Sequence, residues 1–84
     1  MRVELTPGAR KDLSKLDKPT QKRIQEDIDK FREDPSKVHL CKVVSKKDTL
    51  RMSVGHWRVF LKLDRKNRMY FVTEIIRRRE NTYD

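Results

Sequence analysis

Apolar residues recur every three or four positions in two stretches of the first half of the chain. They form two stripes, which are Ala9, Leu13 and Leu16 in the first stretch and Ile24, Ile28 and Phe31 in the second. This spacing predicts two amphipathic helices. Thr6 and Pro7 start the first helix, because a hydroxyl cap followed by proline favours a helical first turn. Residues 17–19 separate the two helices, and Asp34 with Pro35 ends the second. The pattern therefore predicts a helical hairpin whose apolar stripe packs against another layer.

Strand patterns account for most of the remaining residues. A short N-terminal strand is predicted at 2–5, and four further strands are predicted at 38–44, 50–54, 57–63 and 69–76. A tight turn is expected at Gly55 and His56, and a hairpin loop at 64–67. We therefore expect one α+β domain over residues 1–84. In it the N-terminal strand and the two-helix hairpin pack on a mostly antiparallel, twisted, four-stranded sheet.

The alternation along two adjacent strands separates cations from apolar side chains. Arg51 and Arg58 fall on the face opposite Met52 and Val59, and Lys62 points the same way as Arg58. An arginine run at 77–79 leaves the last strand nearby. If the helices cover the apolar face, the uncovered face is almost all positive and suits a polyanion. The ordinary alternative is a solvated sheet face.

The charge distribution favours the same half of the chain. Twenty-two Lys and Arg against thirteen Asp and Glu give a net charge of +9 and a pI near 10.1. Residues 43–84 hold eleven of the cations and five of the anions, a net of +6, and seven of these cations are arginines. Arginine suits bidentate phosphate contacts better than lysine does. Such an excess favours nucleic acid or an acidic protein as partner.

Several classes of protein are disfavoured by what the sequence lacks. Cys41 is the single cysteine, which excludes an internal disulfide and leaves no Cys/His set for zinc, and we expect its thiol to be buried. There is no signal-peptide pattern and no apolar run of the roughly 18 residues that a membrane span needs. We expect a cytoplasmic protein without metal or cofactor.

Residues 50–60, Leu-Arg-Met-Ser-Val-Gly-His-Trp-Arg-Val-Phe, resemble a known family pattern. They are similar to the R-x-x-V-G-x-[aromatic]-R-[V/L]-x core of the RelE/ParE toxin superfamily. The end of the chain, Arg-Arg-Glu-Asn-Thr-Tyr at 78–83, resembles the basic stretch that precedes a terminal tyrosine in that family. The positions of the helical hairpin fit as well, so the resemblance spans essentially the whole chain.

The resemblance implies a set of functional residues. The catalytic positions fall on Arg51, Arg58, Arg77 and Tyr83, with Arg78 or Arg79 in place of Arg77 if the register slips. The residues expected to bind RNA are Lys46, Lys47, Phe60, Lys62, Arg78 and Arg79. The chain departs from the family at Thr49, where RelE members often carry a further lysine. Tyr83 and Lys62 are the candidates for proton transfer.

The resemblance implies a toxin of a type II toxin–antitoxin module. We expect a ribosome-dependent mRNA endoribonuclease that cleaves by 2′-OH attack on the scissile phosphate, with a cognate acidic antitoxin, the ribosome and mRNA as partners. One alternative is a ParE-like inhibitor of DNA gyrase without nuclease activity. Another is a basic RNA-binding module without enzymatic activity.

Overall fold

The chain folds in the order β1–α1–α2–β2–β3–β4–β5 in a computed structural model that describes residues 1–78. The helices are α1 (Pro7–Ser14) and α2 (Lys18–Glu33), and a 3₁₀ turn follows at Pro35–Lys37. The strands are β1 (Arg2–Leu5), β2 (His39–Lys42), β3 (Thr49–Val54), β4 (Trp57–Asp64) and β5 (Met69–Arg77). Both predicted helices and all five predicted strand segments are present.

Side-chain caps fix where the two helices begin. The Thr6 Oγ1 accepts a hydrogen bond from the Ala9 amide at 3.2 Å, and the Asp17 Oδ1 accepts one from the Thr20 amide at 3.3 Å. Proline occupies an early position of each helix, where its missing N–H costs nothing. The caps and prolines therefore set the hairpin turn where the sequence predicts it.

The sheet has five strands in the order β1-β5-β4-β3-β2, one more than predicted. The N-terminal strand joins it at one edge and pairs with β5 in parallel, while all other pairs are antiparallel. A parallel pair needs a long crossover, and the chain between β1 and β5 supplies one. The prediction of a separate N-terminal strand was wrong because this pairing joins opposite ends of the chain.

One face of the sheet packs against the helical hairpin and forms the core. Its fully or nearly fully buried members are Val3, Ala9, Ile24, Ile28, Phe31, Met52, Val54, Val59, Leu61, Val72 and Ile75. The ring of Phe31 meets that of Tyr70 edge-on at 5.1 Å. Cys41 is exposed, contrary to prediction, because its register partner is Arg51 and this pair lies on the face away from the helices. No helix within residues 1–78 is long and apolar enough to span a membrane.

A β-bulge interrupts the pairing of β4 with β5. Phe60 pairs with Glu74 but Leu61 pairs with Val72, which leaves Thr73 as the extra residue of β5. The bulge lets Val72 and Ile75, three positions apart, both face the core. Compared with strict alternation from Val72, the bulge also places every later residue of β5 on the opposite side of the sheet.

Candidate nucleic-acid interface

The sheet face that the helices leave uncovered, called the open face below, includes three rows of cross-strand neighbours that contain the predicted site residues. Residues directly opposite each other on paired strands share a face. The rows are His39–Ser53–Arg58–Ile76, Cys41–Arg51–Phe60–Glu74 and Thr49–Lys62–Phe71–Glu4. The predicted placement of Arg51, Arg58 and Lys62 on one face is confirmed, and Phe60 lies on the same face.

Arg58 is anchored at the end of the sheet by its own turn. Its Nη1 donates to the carbonyl oxygens of Gly55 and Trp57, each at 2.9 Å. Within residues 1–78 no acceptor engages its remaining guanidinium nitrogens. Partial burial lowers the pKa of Arg58, and the nearby charges of Arg78 and Arg51 lower it further. Because a guanidinium stays protonated in proteins, these effects raise the free energy of the charged group, and a bound anion relieves them.

Arg78, and not Arg77, accompanies Arg58 on the open face. Arg58 pairs with Ile76, and two residues later the Arg78 amide donates to the His56 carbonyl at 2.6 Å. Arg77 pairs with Trp57, whose side chain packs against the core on the helix side. The structure therefore brings Arg51, Arg58 and Arg78 together and places Arg77 on the other side of the sheet. The bulge at Thr73 causes this. Strict alternation along β5 without the bulge would place Arg77 on the open face and Arg78 on the helix side.

Two of the predicted site residues, Arg79 and Tyr83, lie outside the described residues. Their predicted roles remain predictions.

The turn that carries Arg58 requires a glycine. Gly55 has φ +59°, a left-handed conformation that residues with a side chain rarely adopt. The guanidinium of Arg23, from α2, lies so close that a Cβ on Gly55 would stand 3.0 Å from its Nη1. Arg23 is a cation next to the site that the sequence analysis did not single out. Nothing in the helical pattern of α2 distinguishes it from the other exposed charges.

A cleft opens beside the arginines, between the loop at 43–48 and the middle of β4. It is lined by Lys46, Lys47, Asp48, Thr49, Phe60, Lys62 and Thr73. The Lys46 ammonium lies over the Phe60 ring, 5.7 Å from its centre. Thr49 is buried beneath the loop and donates its hydroxyl to the Lys47 carbonyl at 3.0 Å. Lys46, Lys47 and Lys62, all predicted to bind RNA, therefore line the same cleft as the Phe60 ring.

A double ion pair holds the loop that forms one wall of this cleft. Arg65 donates from Nε and Nη2 to the two carboxylate oxygens of Asp48, at 3.0 and 2.6 Å. The hydrogen bond with Arg65 lowers the pKa of Asp48. The Leu63 amide also donates to the Asp48 carbonyl at 2.8 Å. The base of the loop is thus tied to β4 and to the hairpin that follows it.

The open face is less uniformly positive than predicted. Glu74 faces Phe60, and Glu4 lies at the β1 edge. The sequence could not place Glu74 there because the bulge is invisible to a period-two pattern. On α2, by contrast, cations pair locally with carboxylates, as in the 2.7 Å contact of Arg32 with Asp29. Within residues 1–78 there is no cluster of three or more metal-ligating side chains.

Comparisons with known proteins agree with this architecture. A family model described as "ParE toxin of type II toxin-antitoxin system, parDE" matches residues 3–82. None of the curated proteins matches the chain significantly in sequence.

Solved structures with the same fold come from archaea and bacteria. A chain of the archaeal RelE–RelB complex from Pyrococcus horikoshii OT3 has a TM-score of 0.75 at 22% identity, over 96% of this chain and 97% of that one. A chain of the RelBE2 toxin–antitoxin complex from Mycobacterium tuberculosis has a TM-score of 0.75 at 20% identity, over 92% and 96%. A chain of the intact RelBE complex from E. coli has a TM-score of 0.75 at 14% identity, over 95% and 98%. Because the family model spans nearly the whole chain, this protein belongs to the RelE/ParE superfamily and is a toxin of a type II toxin–antitoxin system.

Proposed function

We propose that the toxin is an mRNA endoribonuclease that acts on the ribosome, in the cytoplasm. The observation that carries this proposal is the convergence of Arg51, Arg58 and Arg78 on the open face. Like charges brought this close repel one another, and a phosphate is the natural counterion for guanidinium groups. Several converging arginines suit a phosphodiester group that gains negative charge during cleavage.

The reaction requires little beyond this arrangement. The 2′-oxygen of one nucleotide forms a bond to the adjacent phosphorus, and the bond from phosphorus to the 5′-oxygen of the next nucleotide breaks. The products are a 2′,3′-cyclic phosphate and a 5′-hydroxyl. Arg58 and its neighbours stabilise the additional negative charge on the five-coordinate phosphorus, and the fixed geometry aligns the attack.

Two protons must move, one from the 2′-OH and one to the 5′-oxygen, and arginines do not exchange protons at neutral pH. Lys62 is the described candidate. It pairs with Thr49, the position at which RelE members often carry a lysine, so its ammonium serves the same region of the face. Tyr83 is the second candidate, through the family resemblance. Lys62→Met and Tyr83→Phe each remove the exchangeable proton and keep most of the side chain, so each is expected to slow cleavage more than it weakens binding.

We further propose that an acidic antitoxin covers this toxin. The matched structures are described as complexes with RelB or as toxin–antitoxin complexes. The present chain carries a net charge of +9 and has a small core. An acidic partner would neutralise the charge and extend the core. The proposed partner lies along the helical hairpin and the sheet and forms a hetero-oligomer with the toxin.

Inhibition of DNA gyrase is the second candidate function, and the ParE description of the matching family model favours it. Expression of the toxin in cells separates the two. An mRNA endoribonuclease stops translation first and leaves mRNA cut inside codons. A gyrase inhibitor induces the DNA-damage response while mRNA stays intact. Intact mRNA at the time growth stops would overturn the nuclease proposal.

A further inference from the structure

The cleft beside Phe60 combines an aromatic ring with three lysines. The ring is half-buried and pairs directly with Arg51 across β3 and β4. Adjacent strands lie about 4.8 Å apart, so a ligand held by the arginines also reaches the ring. In single-stranded nucleic acids the distance from a phosphate to its own base is comparable to this strand spacing. The position of Phe60 thus suits a base attached to the bound phosphate.

The charged groups that line this cleft are mostly hydrogen-bond donors. Lys46, Lys47 and Lys62 carry ammonium groups, which donate and cannot accept. The one carboxylate that lines the cleft, Asp48, uses both oxygens for Arg65. Glu74, the cross-strand neighbour of Phe60, is not among the lining residues. The O6 and N7 atoms of guanine and the O4 atom of uracil are acceptors that find partners here. The amino groups that adenine and cytosine carry at the corresponding positions find the Asp48 carboxylate already engaged.

We infer that this cleft is a nucleobase-binding site that stacks one base on Phe60 and prefers the keto bases guanine and uracil over adenine and cytosine. The Lys46 ammonium occupies the ring face in the free protein. An incoming base replaces it, because a flat ring covers the phenyl face more completely than an ammonium does. Lys46 then donates to the edge of the base. The inference rests on the proposed function only in taking RNA as the ligand.

The test is a binding measurement with RNA that cannot be cleaved. The probe is a fluorescent hexamer of abasic 2′-O-methyl nucleotides that carries a single base at its centre, so that no other base can enter the cleft. Stacking of one base typically strengthens binding about 5- to 150-fold. We expect guanine or uracil to produce such a gain over the base-free hexamer, and adenine or cytosine to produce a smaller one.

Variants identify the ring and the lysine responsible. Phe60→Leu should abolish the gain that the base provides, and Phe60→Tyr should retain it. Phe71→Leu is the matched control, because Phe71 is a half-buried ring on the same face, beside a different cleft. Lys46→Gln should keep the gain but reduce the preference for keto bases.

Several results would overturn the inference. They are absence of binding, equal binding with and without a base, or equal losses in Phe60→Leu and Phe71→Leu. An equal gain for all four bases would overturn the keto assignment. A clear base gain in a toxin that leaves cellular mRNA intact would instead contradict the proposed nuclease function and leave the site standing.

Discussion

The Arg58 guanidinium is held against the Gly55 carbonyl of its own β-turn by a 2.9 Å hydrogen bond from Nη1. The turn is itself fixed by the left-handed conformation of Gly55 and by Arg23 packed against it. One guanidinium nitrogen is therefore committed to the backbone, and the others are oriented without having to find a position when the ligand arrives. Preorganisation of this kind is what makes a donor effective in a transition state.

The bulge in β5 leads to a prediction about two adjacent arginines. Arg78→Ala should reduce RNA cleavage and toxicity far more than Arg77→Ala, because of the two only Arg78 lies close enough to Arg58 to lower its pKa. The two variants change charge equally and make a matched pair. Single-turnover cleavage rates measure the difference. A larger loss in Arg77→Ala would contradict the placement of the two residues on opposite sides of the sheet.

Binding to ribosomes or to single-stranded RNA should depend strongly on salt. Each phosphate contacted on a single strand contributes a slope of about 0.7 in log affinity against log salt concentration. Arg78→Ala should reduce this slope. Lys66→Ala removes the same charge from the exposed β4–β5 hairpin and should leave the slope unchanged. A salt-independent affinity of the wild-type protein would show that the open face is not the contact surface.

The ion pair of Asp48 with Arg65 should contribute stability that disappears in acid. The folded pKa of Asp48 is lowered, so its contribution is fully present above the unfolded value of about 4 and is lost as pH falls through the folded value below it. Asp48→Asn isolates the charge, because asparagine tolerates the left-handed φ of 56° found there. Melting temperatures should differ by a constant amount above about pH 5, and the two curves should converge below pH 4. A difference that stays the same as pH falls below 4 would assign the effect to hydrogen bonding and not to charge.

The antitoxin should stabilise the folded toxin to an extent set by the ratio of the free antitoxin concentration to Kd. At 100 times Kd the gain is about 2.7 kcal/mol, which corresponds to roughly 10 °C or more in melting temperature for a domain of this size. The measurement is thermal unfolding of the toxin with and without an acidic protein encoded by a neighbouring gene. If no neighbouring gene product raises the melting temperature, the proposed antitoxin partnership is contradicted.

The sequence predicted local features well and non-local ones poorly. Both helices, their caps and the shared face of Arg51 and Arg58 follow from periodicity and capping, which act over a few residues. The parallel pairing of β1 with β5 joins opposite ends of the chain and has no local signal. The bulge at Thr73 is equally hidden, because Ile75 and Ile76 are both apolar and either can face the core by pattern alone. That ambiguity explains why the sequence left the register of Arg77 and Arg78 open and why it did not place Glu74 on the open face.

The central claim is that Arg58 stabilises the transition state of RNA cleavage. The most direct test is single-turnover cleavage of a defined mRNA codon in the A site of purified ribosomes. Arg58→Ala should slow cleavage by about 10²- to 10³-fold, the usual cost of losing one preorganised donor, while ribosome binding weakens far less. Arg58→Lys should recover only part of the rate, because a point charge cannot reproduce the bidentate fork. Cleavage by Arg58→Ala at the wild-type rate would contradict the claim.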